Sequence, residues 1–274
     1  MRFLFLAICF FYLTGFYGCL EEKVNKGVSG TTGSDDHLIG YVDTRSGTGG
    51  FDYASGHTSP AASLPFGTIK LGPDTSIAHV TKSSSGYQYG DIEIRGFSHT
   101  RYSGTGLKEG GIYRVLPADK TLSFAEIKNQ NPIFRHANEI ATPGYYSVEP
   151  LNKKWKADLT ATQHVGIHRY TFRDTSQPHI LINLTSHLSD GGSVEDLEAH
   201  VDNQNSLITG HSLLNDDVSK RYDKLPLYFA IKSVRPFSHR FLSSQRPDSL
   251  ESQIQSQNKE QVILDLSFNQ VNSD

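Results

Sequence analysis

Beyond about residue 38 the chain consists of short runs in which apolar and polar side chains alternate, separated by glycine, proline, asparagine and aspartate. This two-residue period restricts the fold most, because a strand shows one face every second residue whereas a helix needs apolar positions three or four apart. Trp155, Ala157, Leu159 and Ala161 alternate with Lys154, Lys156, Asp158 and Thr160, which predicts a half-buried strand. Val165 and Ile167 face away from Gly166, His168, Tyr170 and Phe172, a pattern for a strand covered on both sides. Ile180-Leu181-Ile182 and residues 225–234 are denser in apolar residues and read as strands between packed layers, while Pro143-Gly144 is a turn feeding Tyr145-Tyr146-Ser147-Val148. Val262-Ile263-Leu264-Asp265-Leu266-Ser267-Phe268 is a further strand, and the chain stops six residues later, an abrupt end for a domain edge. The expected fold class is all-β, a large antiparallel β-sandwich of the supersandwich kind. Two segments resist this reading. Ser193-Val194-Glu195-Asp196-Leu197-Glu198-Ala199-His200 suits either a capped helix or a hairpin, and residues 243–257 are polar and read as a mobile loop.

The amino terminus follows a different pattern. Arg2 precedes an uncharged apolar run from Phe3 to Tyr17, then Gly18 and Cys19, and the chain turns polar at Glu21-Glu22-Lys23. A basic start, an apolar centre and a small residue before the cut describe a secretory signal peptide over residues 1–18. Gly18-Cys19 resembles the end of a bacterial lipobox, with Phe16 in place of the usual Leu, so Cys19 is the expected lipidation site. Residues 19–38 are Gly/Ser/Thr-rich and polar, a tether leading to a folded domain over residues 39–274. The expected location is outside the cytoplasm, secreted, periplasmic or on the cell surface, with the membrane touched only through the amino-terminal lipid or signal.

Composition removes several chemistries. The 274 residues carry a formal charge of -3 with the signs interspersed, so nothing favours a nucleic-acid partner. Both cysteines, Cys9 and Cys19, lie in the leader, which leaves the body without a disulfide, a thiolate nucleophile or a zinc cluster. Neither glycine cluster, Gly47/Gly49/Gly50 nor Gly104/Gly106, has the third glycine and following helix of a dinucleotide fingerprint. His164 and His168 on one strand would stand about 13 Å apart, too far to share a metal. No Gly-x-Ser-x-Gly elbow singles out a serine nucleophile.

What remains is a glycine- and proline-rich stretch. It runs from Gly47-Thr48-Gly49-Gly50 through His57-Thr58-Ser59-Pro60-Ala61-Ala62 and Leu64-Pro65-Phe66-Gly67 to Gly72-Pro73-Asp74-Thr75. A long loop anchored by Leu64, Phe66, Ile69 and Leu71 reads as a shaped loop lining a site, or as a connection crossing a sheet end. A second glycine-punctuated block, Gly86-Tyr87-Gln88-Tyr89 and then residues 95–106, sets aromatic rings beside Ser, Thr, His and Arg. These are the materials of a sugar site, or of an ordinary core.

Taken with Tyr41-Val42-Asp43, Gly96-Phe97-Ser98-His99-Thr100, Ser103-Gly104-Thr105-Gly106, Ala141-Thr142-Pro143-Gly144 and Val165-Gly166-Ile167-His168-Arg169-Tyr170, these blocks resemble in order the amino-terminal domain of glycoside hydrolase family 92, the secreted bacterial α-mannosidases. The resemblance covers about residues 39 to 270. It implies a β-sandwich that is one part of an exo-acting, inverting, calcium-dependent α-mannosidase acting on α-mannoside glycans. It implies further that residues 47–50 form one wall of the mannose pocket, and that a helical barrel beyond this chain supplies the general acid, the general base and the calcium ligands. Inversion needs two carboxylates about 6.5 to 9.5 Å apart with a water between base and sugar. The substrate-side candidates are therefore Gly47, Thr48, Gly49 and Gly50, with His57 and His99 beside them; no catalytic residue and no metal ligand is expected in this chain. Thr44-Arg45, Ser59-Pro60-Ala61-Ala62 and Lys108-Glu109-Gly110-Gly111 depart from the family pattern and would alter the pocket wall. The alternatives are a non-catalytic glycan-binding surface module and an inactive gene fragment.

Overall fold

The alternating runs pair into two antiparallel sheets around one apolar core in the computed structural model, which describes residues 2–9, 38–50, 56–75, 84–130, 132–174, 177–256 and 260–269. With strands numbered along the chain, the larger sheet runs in space β14 (Gln253–Ser256), β10 (Ser193–Asp202), β11 (Leu207–Asn215), β12 (Leu225–Ser233), β1 (Arg2–Cys9), β8 (Val165–Phe172), β7 (Trp155–Ala161), β6 (Tyr145–Val148) and β5 (Glu139–Thr142). The smaller runs β13 (Ser238–Ser243), β15 (Val262–Ser267), β9 (His179–Asn183), β4 (Arg114–Ala118), β3 (Ile94–Ser98) and β2 (Gly72–Thr75).

The period-2 strands bury the residues their pattern assigns to the interior. Trp155, Ala157 and Leu159 of β7 are almost completely enclosed, as are Ile180, Leu181 and Ile182 of β9. Phe97 of β3 meets Trp155 edge-on at 6.2 Å and Tyr146 and Tyr170 at 6.4 and 6.3 Å, so one ring of the smaller sheet bolts three rings of the larger. Each such pair adds roughly 0.5–1.5 kcal/mol beyond area burial. The outer side of the smaller sheet is covered by Phe124 and Ile127 of a single helical turn, α1 (Phe124–Ile127). Its start is fixed by a capping box, in which the Glu126 carboxylate accepts the Ser123 N–H at 2.8 Å.

Two expectations change, and one left open is decided. Residues 193–200 are strand, part of β10, and the hairpin alternative holds; β10 carries a bulge between Glu195 and Glu198, with Asp196 left-handed at φ 48°. Residues 243–257 are not simply a loop, because Gln253–Ser256 pairs as the edge strand β14, whose exposed glutamines hide it in the sequence. His164 sits in the exposed turn before β8, while His168 is buried within it, so the two do not share a strand face. The leader expectation meets a strand as well: Arg2–Cys9 lies between β8 and β12, antiparallel to both, with Leu6 opposite His168 and Ser233. The rest of the leader, Cys19 and residues 20–37 of the tether lie outside the described residues.

Candidate functional site: the glycine-rich rim

Residues 47–50 turn at the surface, and their glycines are required by geometry. Gly47 and Gly50 have φ of 77° and 128°, where a side chain is strained. At Gly49 the reason is space, since a Cβ there would lie 2.7 Å from the Cβ of Tyr89. Thr48 between them is fully buried; its hydroxyl donates to the Arg45 carbonyl at 2.7 Å and its own carbonyl accepts the Tyr89 N–H at 3.0 Å. With its N–H also donating to the Arg45 carbonyl at 3.0 Å, Thr48 has hydroxyl, N–H and carbonyl all engaged, so it carries the turn while the glycines beside it form the surface.

Tyr89 emerges as a residue the sequence could not separate from its neighbours. It is 44% exposed, whereas Tyr87 and Phe97 are fully buried, so of these three rings only Tyr89 is open to a ligand. Its ring stacks on His136 at 3.8 Å and 10°, and His136 is held between the Tyr89 carbonyl and Glu139, each at 2.8 Å. Glu139 also accepts the hydroxyls of Tyr87 and Tyr146, at 3.1 and 2.7 Å. The exposed ring is thus fixed from below.

His57 lies half-buried beside this loop. Its Nδ1 is 2.9 Å from the Ser84 hydroxyl, and its carbonyl accepts the N–H of Gly104, which brings the second glycine loop, residues 103–106, over it. The two glycine clusters are therefore neighbours around His57.

Beneath the rim lies a buried cation. Arg101, 3% exposed, pairs with Asp74 at 3.1 Å and donates to the carbonyls of Pro73, Ser85 and Gly72 at 2.9, 2.9 and 2.8 Å. Burial pushes the Asp74 carboxyl above its ordinary range, and Arg101 and then Arg114 pull it back. From Ser85 the support runs outward: its hydroxyl donates to the Thr58 carbonyl at 2.6 Å, and the Thr58 hydroxyl donates to Ser46 at 2.9 Å. A buried guanidinium thereby supports the glycine loop through two hydroxyls.

His99 does not belong to the rim. It is fully enclosed between the sheets, with Nε2 2.8 Å from Nε2 of His168, whose Nδ1 is 2.8 Å from the Tyr170 hydroxyl. Burial, and then Arg101, push its imidazole down to about 3, and burial with His99 beside it holds His168 well below its usual range. The contact between two Nε2 atoms needs one donor and one acceptor, which neutral rings provide. The expectation of His99 at the sugar is corrected: a ring with no exposed surface cannot meet a ligand, and the close approach of Gly166, where a Cβ would lie 2.7 Å from His99 Cδ2, leaves no room beside it.

Chemically the rim offers turns of backbone, one imidazole, one ring and small hydroxyls. Such a surface can seat hydroxyls and stack on a CH face. Among the described residues no group of three or more His, Cys, Asp or Glu side chains is placed to hold a metal ion.

The relatives share this architecture. The glycosyl hydrolase family 92 N-terminal domain matches residues 41–274. An α-mannosidase of that family from Bacteroides thetaiotaomicron superposes with a TM-score of 0.69 at 26% identity, over 85% of this chain and 31% of its own. A second family 92 glycosyl hydrolase superposes equally well at 22% identity, over 84% of this chain and 30% of its own, which speaks to fold alone. An uncharacterized secreted glycosidase of Arthroderma benhamiae is 28% identical over 160 residues, 54% of this chain and 20% of that protein. The chain thus spans less than a third of the relatives it matches, and it belongs to glycosyl hydrolase family 92 as the N-terminal domain of that family.

Proposed function

We propose that this domain forms one wall of the mannose pocket of an exo-acting, inverting, calcium-dependent α-mannosidase, with residues 47–50 and His57 facing the sugar. The observation that carries the reading is the family match over residues 41–274 together with a rim whose loop shape is forced by close approach and left-handed backbone. The acid, the base and the calcium belong to a helical barrel in this reading. Docking of such a partner is supported by Phe66, wholly exposed and held at φ 60°, because a large apolar side chain kept in a strained backbone at the surface suits an interface. Export is supported by the secreted relative, and the leader and a lipid on Cys19 belong to the same proposal. Cleavage before Cys19 would take Arg2–Cys9 out of the larger sheet and leave β8 and β12 to close on one another. Among the described residues no helix is long and apolar enough to cross a membrane.

The test uses a chain carrying this domain with its barrel, assayed on α-1,2-mannobiose with calcium. Gly49→Ala, whose added Cβ must displace Tyr89 locally, should lower kcat/KM at least tenfold, with circular dichroism at the assay temperature showing the domain still folded. Unchanged kinetics would remove the loop from the pocket.

A further inference from the structure

The outer face of the larger sheet carries a second arrangement suited to sugars, remote from the glycine rim in sequence and built on other strands. Direct cross-strand pairing aligns Gln255 of β14, Glu198 of β10, His211 of β11 and Tyr228 of β12 in one row. Residues directly opposite across antiparallel strands share a face, and three strand spacings make the row about 14 Å long. Tyr228 is 54% exposed, with its ring 5.8 Å from that of His211 at 31°. At the other end, the Glu198 carboxylate accepts the amides of Gln253 and Gln255 at 3.1 and 3.4 Å, which fixes both glutamines and leaves each a carbonyl oxygen for a hydroxyl. The row opens into a groove of about 1080 Å³ at the β14 edge, whose lining includes Glu198, His211, Gln253 and Gln255. The β10 bulge, with left-handed Asp196, lies on the same groove, as bulges commonly do beside binding sites.

We infer that this row and groove bind a neutral oligosaccharide, the Tyr228 ring stacking on one hexopyranose while Glu198, His211 and the glutamines take the hydroxyls of the next. Charge selects against an anionic chain. Asp196, Glu198 and Glu251 line the groove, and its arginine, Arg246, is already paired with Glu260 at 2.7 Å. Register alone would align any wet-face row; this one is also cross-braced, Glu198 holding both glutamines and the His211 ring lying beside Tyr228.

The site is independent of the glycine rim and would hold a glycan whatever happens at residues 47–50. The experiment is affinity electrophoresis of the 274-residue chain in gels containing yeast α-mannan, β-glucan or galactomannan, with polygalacturonate as the anionic control. Retardation by at least one neutral polymer is expected, weakened at least tenfold by Tyr228→Ala and by Glu198→Ala, each checked for an unchanged melting temperature, and kept by Gly49→Ala. Retardation by none of the three neutral polymers, stronger retardation by polygalacturonate, or binding lost with Gly49→Ala but kept in both row variants would overturn the inference.

Discussion

His57 and His99 look alike in sequence: each sits in a glycine-punctuated block beside serine and threonine, and each was a candidate for the sugar. In the fold they part. His57 lies half-exposed under two glycine loops with a hydroxyl at 2.9 Å, whereas His99 is sealed between the sheets against a second imidazole. The difference teaches that the blocks marking this family serve two ends. Some residues shape a rim; others form a buried polar layer, in which Arg101 and Asp74 support the rim through Ser85 and His99 pairs with His168 between the sheets. Substitutions in the layer should cost stability, and substitutions at the rim should cost ligand.

The largest effect is expected at Arg101. Arg101→Met strands a buried carboxylate and several carbonyls, so the loss should be about 3–5 kcal/mol by urea unfolding. Adding Asp74→Asn should recover part of the loss, because the stranded carboxylate is gone while Arg114 gives up its ion pair at 3.8 Å. A loss under 1 kcal/mol for Arg101→Met would show that the layer does not support the rim.

Acid should expose the same layer. With the His99 imidazole at about 3 in the folded chain and near 6.5 unfolded, the unfolded state binds the proton first. This contribution is therefore complete above about pH 6.5 and is lost as the pH falls toward 3, at up to about 1.4 kcal/mol per pH unit for each such histidine. His168→Gln keeps a hydrogen-bonding partner without a titrating ring, and the slope of stability against pH should flatten between about pH 6.5 and 5, above the range where the carboxylates titrate. An unchanged slope would mean that the pair is not neutral in the fold.

How much of this was legible beforehand follows from the same physics. β7, β9, β12 and β15 declare themselves because burial on one or both faces leaves a period in the sequence. β14 leaves none, since an edge strand open to water is written in glutamine and serine. The shape of the glycine loop was legible in outline, but Tyr89 could not be told from Tyr87, nor His57 from His99. Which ring is enclosed depends on the opposite sheet, and that partner comes from distant residues such as Gly166 and Glu139. The burial of Arg101 was hidden for the same reason, because a charge is normally exposed unless the fold supplies its partners.

The smallest stability effect is expected at the rim. His57→Ala should cost about 1 kcal/mol, the loss of one hydrogen bond to Ser84. In the enzyme with its barrel, the same change should raise KM for mannobiose clearly. A fall in stability like that of Arg101→Met would erase the contrast between the two regions.

The account stands on a division of labour in which this domain shapes a seat for the sugar and carries no group that cleaves its bond. The most direct measurement is mannose release from α-1,2-mannobiose by the purified 274-residue chain with calcium present. The account predicts no release above the no-protein control, and sustained turnover that Gly49→Ala abolishes would contradict it.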